Sequence, residues 1–410
     1  MKKRLVVIGG GAAGFFCAIN AARMNPDLHI IIVEKTNKLL SKVKVSGGGR
    51  CNVTHALFDI VEMSKRYPRG QNFVKKTFHQ FFTTDTINWF GKRGVQLKTE
   101  TDGRMFPVTN SSQTIIDCLM NEANSYGVEI RMNSEVTDLN PHKENNLQFE
   151  VHLANKQALA ANFVGIACGG YPKTSMFQWM QNLGHSISEP IPSLFTFNLP
   201  SHPITQLMGV SVEKVRVKIE RSKLVEEGPV LITHWGLSGP AVLRLSAWGA
   251  KELREFNYEF NVHINWLPLF NEQSLKQQFQ SFRISNSSKK IINHNIGFLP
   301  NRLWQFLLEQ SGITNETRFA DLSSKIENIF IKSLVDFIVQ VKGKTTFKEE
   351  FVTAGGISLS EVDANTMMSK KVPNLFFAGE VLDVDGITGG FNFQHAWSSG
   401  FIAAKTISNL

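Results

Sequence analysis

The stretch VVIGGGAAGFFCAINAAR, Val6–Arg23, sets three consecutive glycines between a β-branched run and an alanine-rich run. Glycine loses more conformational freedom on folding than any other residue, so three together need a reason. Upstream, Lys3–Ile8 reads as a buried parallel strand. Ala12, Phe15, Phe16, Ile19 and Ala22 recur at helical spacing, which predicts a helix over Ala12–Met24, broken at Asn25, Pro26 and Asp27. Leu28–Val33 reads as a second strand ending at Glu34. Strand, glycine turn, helix and strand within about 30 residues make a dinucleotide-binding half-domain. Gly9 allows the tight turn, Gly11 lets a pyrophosphate approach the backbone, and Gly14 lets helix and strand pack closely. The helix start, at Ala12 and Ala13, offers free N–H groups and the positive end of the dipole. Glu34, with Lys35 beside it, stands where a carboxylate accepts from a ribose diol. An acid there disfavours a 2′-phosphate, so FAD or NAD is expected at this turn.

The far end of the chain decides between them. FFAGEVLDVDGITGGFNFQHAW, Phe376–Trp397, puts a second glycine-rich turn before a helix expected over Phe391–Ser408. A flavin uses such a turn because its ribityl chain and ring reach beyond the first half-domain. Gly379, Glu380 and Asp385 are expected along the ribityl chain and phosphates. Gly389, Gly390, Phe391 and Asn392 are expected at the pyrimidine edge, where a helix start stabilises negative charge on the reduced ring. Between the two ends, Ser46 opens SGGGRCN. Gly47, Gly48 and Gly49 can pass close to the cofactor and offer successive N–H groups as an anion nest. Lys42, Lys44 and Arg50 add positive charge. Gly169 and Gly170, in CGGYPKTS, complete the expected cofactor-facing set.

Further segments fill in the architecture. Helices are expected at Phe73–Phe82, Asp85–Gly91 and Ser112–Tyr126, and strands at Glu129–Leu139, 147–153 and Ala158–Ala167. After Phe197 the pattern changes. Val215, Val217 and Ile219, then Phe256, Tyr258, Phe260, Val262 and Ile264, alternate with polar residues, the mark of half-buried antiparallel strands. Asn301–Gln340 reads as mostly helical, through Phe337 and Ile338. The expected fold is α/β: a discontinuous FAD-binding domain of residues 1–193 and 347–410, interrupted by an insert, 194–346. The insert reads as β-rich over 194–268 and mostly helical over 269–346.

The chain has 410 residues, 42% hydrophobic and 19% charged, enough to bury a large core without staples. Its net charge of +9 comes from dispersed lysines and arginines, with no like-charge run. A solvated basic surface is expected, with a small-molecule substrate and no nucleic-acid or membrane partner. Four scattered cysteines without CxxC or zinc spacing point to reduced thiols, no metal and a cytoplasmic setting.

SGGGRCNVTH, GRMFP, GGYPKTS, THWGLSGPAVL and TAGGISLSEVDANTMMSKKVPNLFFAGEVLDVDGITGGFNFQHAWSSG resemble the bacterial YhiN/BaiN-type flavoproteins, aminoacetone oxidase-like NAD(P)/FAD-dependent oxidoreductases. The resemblance covers the whole chain in order. It implies a glutathione-reductase-like FAD-binding Rossmann domain, discontinuous, with a β-barrel-like plus helical insert. It also implies that Arg50, Cys51 and Asn52 line the FAD and that Val136 meets the adenine through its backbone. His395 departs from the tryptophan the family often carries.

For catalysis, Tyr171 is a candidate proton donor and His234 a candidate acid or base. Cys51 has no nearby partner for a redox disulfide. The leading expectation is an FAD-dependent oxidoreductase passing a hydride between the flavin and a small organic substrate or NAD(P)H. Without a second GxGxxG unit, NAD(P)H would meet the ring only transiently, and oxygen is the other electron acceptor. A tRNA-modifying flavoprotein and a non-catalytic flavin-binding protein are the alternatives.

Overall fold

The computed structural model describes residues 2–141, 148–345 and 352–410. The chain divides into two compact units, Met1–Ser193 with Phe347–Leu410, and Leu194–Thr346.

The first unit is built on a parallel sheet of β1 (Arg4–Ile8), β2 (His29–Val33), β3 (Glu129–Arg131), β4 (Phe163–Ile166) and β5 (Leu375–Phe377), in the order β5-β4-β1-β2-β3. At its centre, β1 pairs Arg4 to Ile8 with His29 to Val33 on one side and Leu5 to Ile8 with Phe163 to Ile166 on the other. Leu5, Val6 and Val7 are fully buried, as a run covered on both faces requires. Two helices flank the turn regions, α1 (Ala12–Met24) and α2 (Phe391–Ser408). They approach closely: a Cβ on Gly400 would lie 2.7 Å from the Ala13 carbonyl oxygen.

Two expected strands are each split in two. Glu129–Arg131 belongs to the parallel sheet and Val136–Pro141 to a separate antiparallel one, with Asn133 at φ +51° turning the chain between them. Ala158–Ala161 and Phe163–Ile166 part in the same way. The segment Lys35–His55 holds helical turns from Ser41 and a short strand, Thr54–His55.

In the second unit, seven strands pair antiparallel in the order Phe337–Lys342, Glu259–Asn265, Ser211–Ile219, Val225–Thr233, Gly236–Ser238, Thr196–Asn198, Lys344–Thr345. The first and last of that order are separated in the chain by Gly343 alone, so the sheet closes on itself as a barrel. Val215, Val217, Ile219, Val262, Ile264, Val339 and Val341 fill a core shared with the helices Glu272–Ser285, Asn301–Gln310 and Ser324–Val335. Two readings of periodicity are corrected here. Phe256 caps a helix, and its strand starts only at Glu259, after left-handed Asn257 and Tyr258. Phe337 and Ile338 leave the helix at Asp336 and join the barrel.

Candidate functional site

At the first glycine turn, close packing explains two of the three glycines. A side chain on Gly9 (φ +114°) would collide with the Ala167 carbonyl, and one on Gly14 with the Gly9 carbonyl. Gly11 differs, since a Cβ there meets nothing within 4 Å. The helix start has no side-chain cap and no acidic residue in its first turn. Ala12, Ala13 and Gly14 therefore present their N–H groups beside open space, which fits a pyrophosphate. Glu34 ties the end of β2 to this turn, its Oε2 accepting from the Gly10 N–H and its Oε1 from the Thr36 N–H, each at 2.9 Å. A carboxylate has about four lone-pair sites, so acceptor capacity remains for a ribose diol.

The structure brings three other expected segments to the same place. A Cβ on Gly379 would lie 2.8 Å from the Ala13 Cβ, and one on Gly170 would lie 3.0 Å from Oε1 of Glu380. Lys42 pairs with Glu380, which also accepts from the Thr353 N–H at 2.9 Å. Gly169 faces open space, and Val136 opens the antiparallel strand that pairs it with Leu153.

In SGGGRCN, Ser46 leaves helical geometry and Gly47, Gly48 and Gly49 are left-handed, with open space beside the last two. Arg50 has two protein partners. Its guanidinium stacks 4.0 Å from the Phe106 ring centroid and bonds Glu100 at 2.5 Å. Cys51 is fully buried, and burial pushes its thiol up to about 12, so it packs as a small apolar residue.

The four residues Asn52–His55 each bond α2 or the turn before it. Asn52, with its amide oriented to satisfy both neighbours, accepts from the Gly390 N–H at 3.0 Å and donates to the Thr54 carbonyl at 3.1 Å. The Trp397 indole donates to the Val53 carbonyl at 2.9 Å, and Thr54 donates to Gln394 at 2.6 Å. His55 Nδ1 donates to the Gly389 carbonyl at 2.9 Å, and its ring stacks on Phe391. The expected donor at Gly390 is thus taken by Asn52, which leaves those of Gly389 and Phe391. Nothing in the local sequence marked His55; only its place at the end of SGGGRCNVTH did.

The Asp385 carboxylate is fully buried and both its oxygens are held by Arg69, with Ser193 donating at 2.8 Å. Asn392 bonds Gly386 through its amide, accepting from its N–H at 2.8 Å and donating to its carbonyl at 2.9 Å. Both side chains shape the loop. Tyr67 fixes the same loop by donating to the Phe391 carbonyl at 2.6 Å.

Tyr171 stands beside Lys35, whose ammonium lies 5.4 Å from its ring, at the β2 end that carries Glu34. Neighbouring Cys168 and then burial push its phenol well above the ordinary tyrosine value. The Lys35 contact places Tyr171 beside the end of β2. His234 sits exposed in a turn of the second unit, edge-on to Trp235 at 4.4 Å. His395 is buried in α2; its Nε2 donates to the Gly379 carbonyl at 3.3 Å while Nδ1 has no partner, and burial lowers its pKa to about 4.

The HI0933-like protein Rossmann domain matches residues 3–406. A 3-dehydro-bile acid delta(4,6)-reductase of Clostridium scindens is 28% identical over 98% of both chains. A ribosomal RNA dihydrouridine synthase of Escherichia coli is 30% identical over 98% of this chain and 97% of its own. Among solved structures, an open flavocytochrome c3 fumarate reductase superposes with a TM-score of 0.53 at 15% identity, covering 99% of this chain and 78% of that one. A 3-ketosteroid delta1-dehydrogenase from Sterolibacterium denitrificans gives 0.52 at 11% identity over 99% of both. Among the described residues, no helix is long and apolar enough to cross a membrane. The chain belongs to the HI0933-like Rossmann family and is an FAD-dependent oxidoreductase.

Proposed function

We propose that this protein saturates a carbon–carbon double bond conjugated to a carbonyl, with NAD(P)H as the electron donor and a uracil ring in RNA as the acceptor. One observation carries the reading. Relatives aligned over nearly the whole chain bear two different names, a delta(4,6)-reductase and a dihydrouridine synthase, and both names describe hydrogenation of such a bond. Two relatives at 30% identity, from Escherichia coli and Haemophilus influenzae, bear the second name. FAD, when bound, supplies the two-electron relay between donor and acceptor.

The chain's own residues do the holding. The first turn of α1 and Gly11 receive the pyrophosphate, Glu34 the ribose, and the Gly389–Phe391 turn the pyrimidine edge. A fixed helix start there would stabilise negative charge on the reduced ring, which favours hydride uptake. The β-carbon of the conjugated bond takes the hydride and the α-carbon then takes a proton, completing addition of two electrons and two protons.

A second reading, a free small enone as acceptor, is favoured by the bile-acid reductase at 28% identity. Anaerobic titration separates the two. NADH or NADPH should bleach the flavin bands. They should then return on adding a uridine-containing ribosomal RNA transcript, with dihydrouridine found by mass spectrometry. Return with a 3-oxo-Δ4 steroid and not with RNA selects the second reading. Bands that return only with oxygen, and no saturated product, refute both.

A further inference from the structure

Asn52–His55 is the part of SGGGRCNVTH that offers nothing to a phosphate, yet it grips the turn before α2 from below. The peptide group joining Gly389 and Gly390 is bonded at both ends by this one segment, its carbonyl by His55 and its N–H by Asn52. We propose that His55 is a positioning residue for the flavin. By holding the Gly389 carbonyl, it aims the free Gly389 and Phe391 N–H groups at the pyrimidine edge. The proposal rests on the reading that this turn receives the ring.

Three observations support it. A carbonyl can only accept, so Nδ1 carries the proton and the ring's orientation is set. The ring is seated on both sides: it stacks on Phe391 at 4.7 Å with 24° between planes, and a Cβ on Gly103 (φ +87°) would lie 2.5 Å from Nε2. No other residue type fits at Gly103 while the imidazole stays in place. Asp102, Arg66 and Arg104 are the charged groups that act on the ring, and none of them bonds it.

The test separates the donor from the aromatic ring. His55→Phe keeps the stack and removes the N–H. His55→Asn removes the ring and keeps a side-chain N–H near the Nδ1 position. FAD affinity, the flavin band positions and the flavin midpoint potential are measured on the purified holoproteins, with the guanidinium midpoint as a control for folding. His55→Phe should weaken FAD binding about tenfold, the worth of one well-placed hydrogen bond, and lower the potential. His55→Asn should stay within about twofold of the parent on both. Should His55→Phe fail to fold, Gly103→Ala displaces the same ring from the other side and should give the same shift. An unchanged affinity and potential in His55→Phe overturns the proposal, as does a His55→Asn as impaired as His55→Phe. A parent protein that holds no flavin overturns instead the reading on which the proposal rests.

Discussion

Acid should destabilise the first unit through one histidine. His395 is only 2% exposed, and its folded pKa is about 4 against an ordinary 6.5. The unfolded chain therefore binds a proton between those values that the folded chain refuses, so stability rises with pH across that window and falls on acidification. The full effect, at 1.36 kcal/mol per unit, is about 3 kcal/mol. About 2 kcal/mol is lost by pH 5 and about 3 kcal/mol by pH 4. Other groups titrate in the same range, so the quantity to measure is a difference. Guanidinium unfolding is followed by flavin fluorescence for the parent and for His395→Leu at pH 7, 6, 5 and 4. The gap between the two should close, or reverse, by about 3 kcal/mol from pH 7 to pH 4. Parallel pH profiles would mean that His395 is protonated in the folded state or reaches water, and the reasoning from burial fails.

Three more expectations follow from contacts already described. Gly11→Ala places its methyl in open space, so the protein should fold with a guanidinium midpoint near the parent's yet purify with little flavin; full occupancy would move the pyrophosphate elsewhere. Asp385→Asn leaves Arg69 buried without its counter-charge and should cost about 3–5 kcal/mol in unfolding free energy, and a loss below about 1 kcal/mol would show that Arg69 finds water or another partner. Burial pushes the thiols of Cys17, Cys51 and Cys118 up to about 12 and that of Cys168 up to about 11. Ellman's reagent at pH 8 should therefore react slowly with the native protein and with four thiols after denaturation; fast reaction of Cys51 would reopen a thiol role beside the flavin.

The elements that were legible in the sequence are those whose signal is local. The helix Ala12–Met24 agrees with its spacing to the residue, because apolar side chains repeat along one face and Asn25 and Pro26 stop it. Phe391–Ser408 agrees equally, since two glycines precede it. Where two periods coincide over a short run, the reading fails. Phe337 and Ile338 continue the helical spacing of Phe330 and Leu334, and nothing in those few residues shows that the chain turns into a strand. Side-chain partners were not legible at all. Asn52–His55 and Gly389–Trp397 lie at opposite ends of the chain, and four separate hydrogen bonds leave no pattern in either segment.

The charged residues expected at the site share one feature. Arg50, Asp385, Lys42 and Glu380 are each expected to meet the cofactor. Each has a protein partner: Glu100 for Arg50, Arg69 for Asp385, and Lys42 and Glu380 for one another. A charge near a dinucleotide must be neutralised in the folded chain whether or not the ligand is present, and a buried one strictly so. Backbone N–H groups carry no such cost when they face open space at a helix start. On the proposed reading, the pyrophosphate and the ring edge are recognised by Gly11 through Gly14 and by Gly389 and Phe391, and the charged residues around them hold those backbones still.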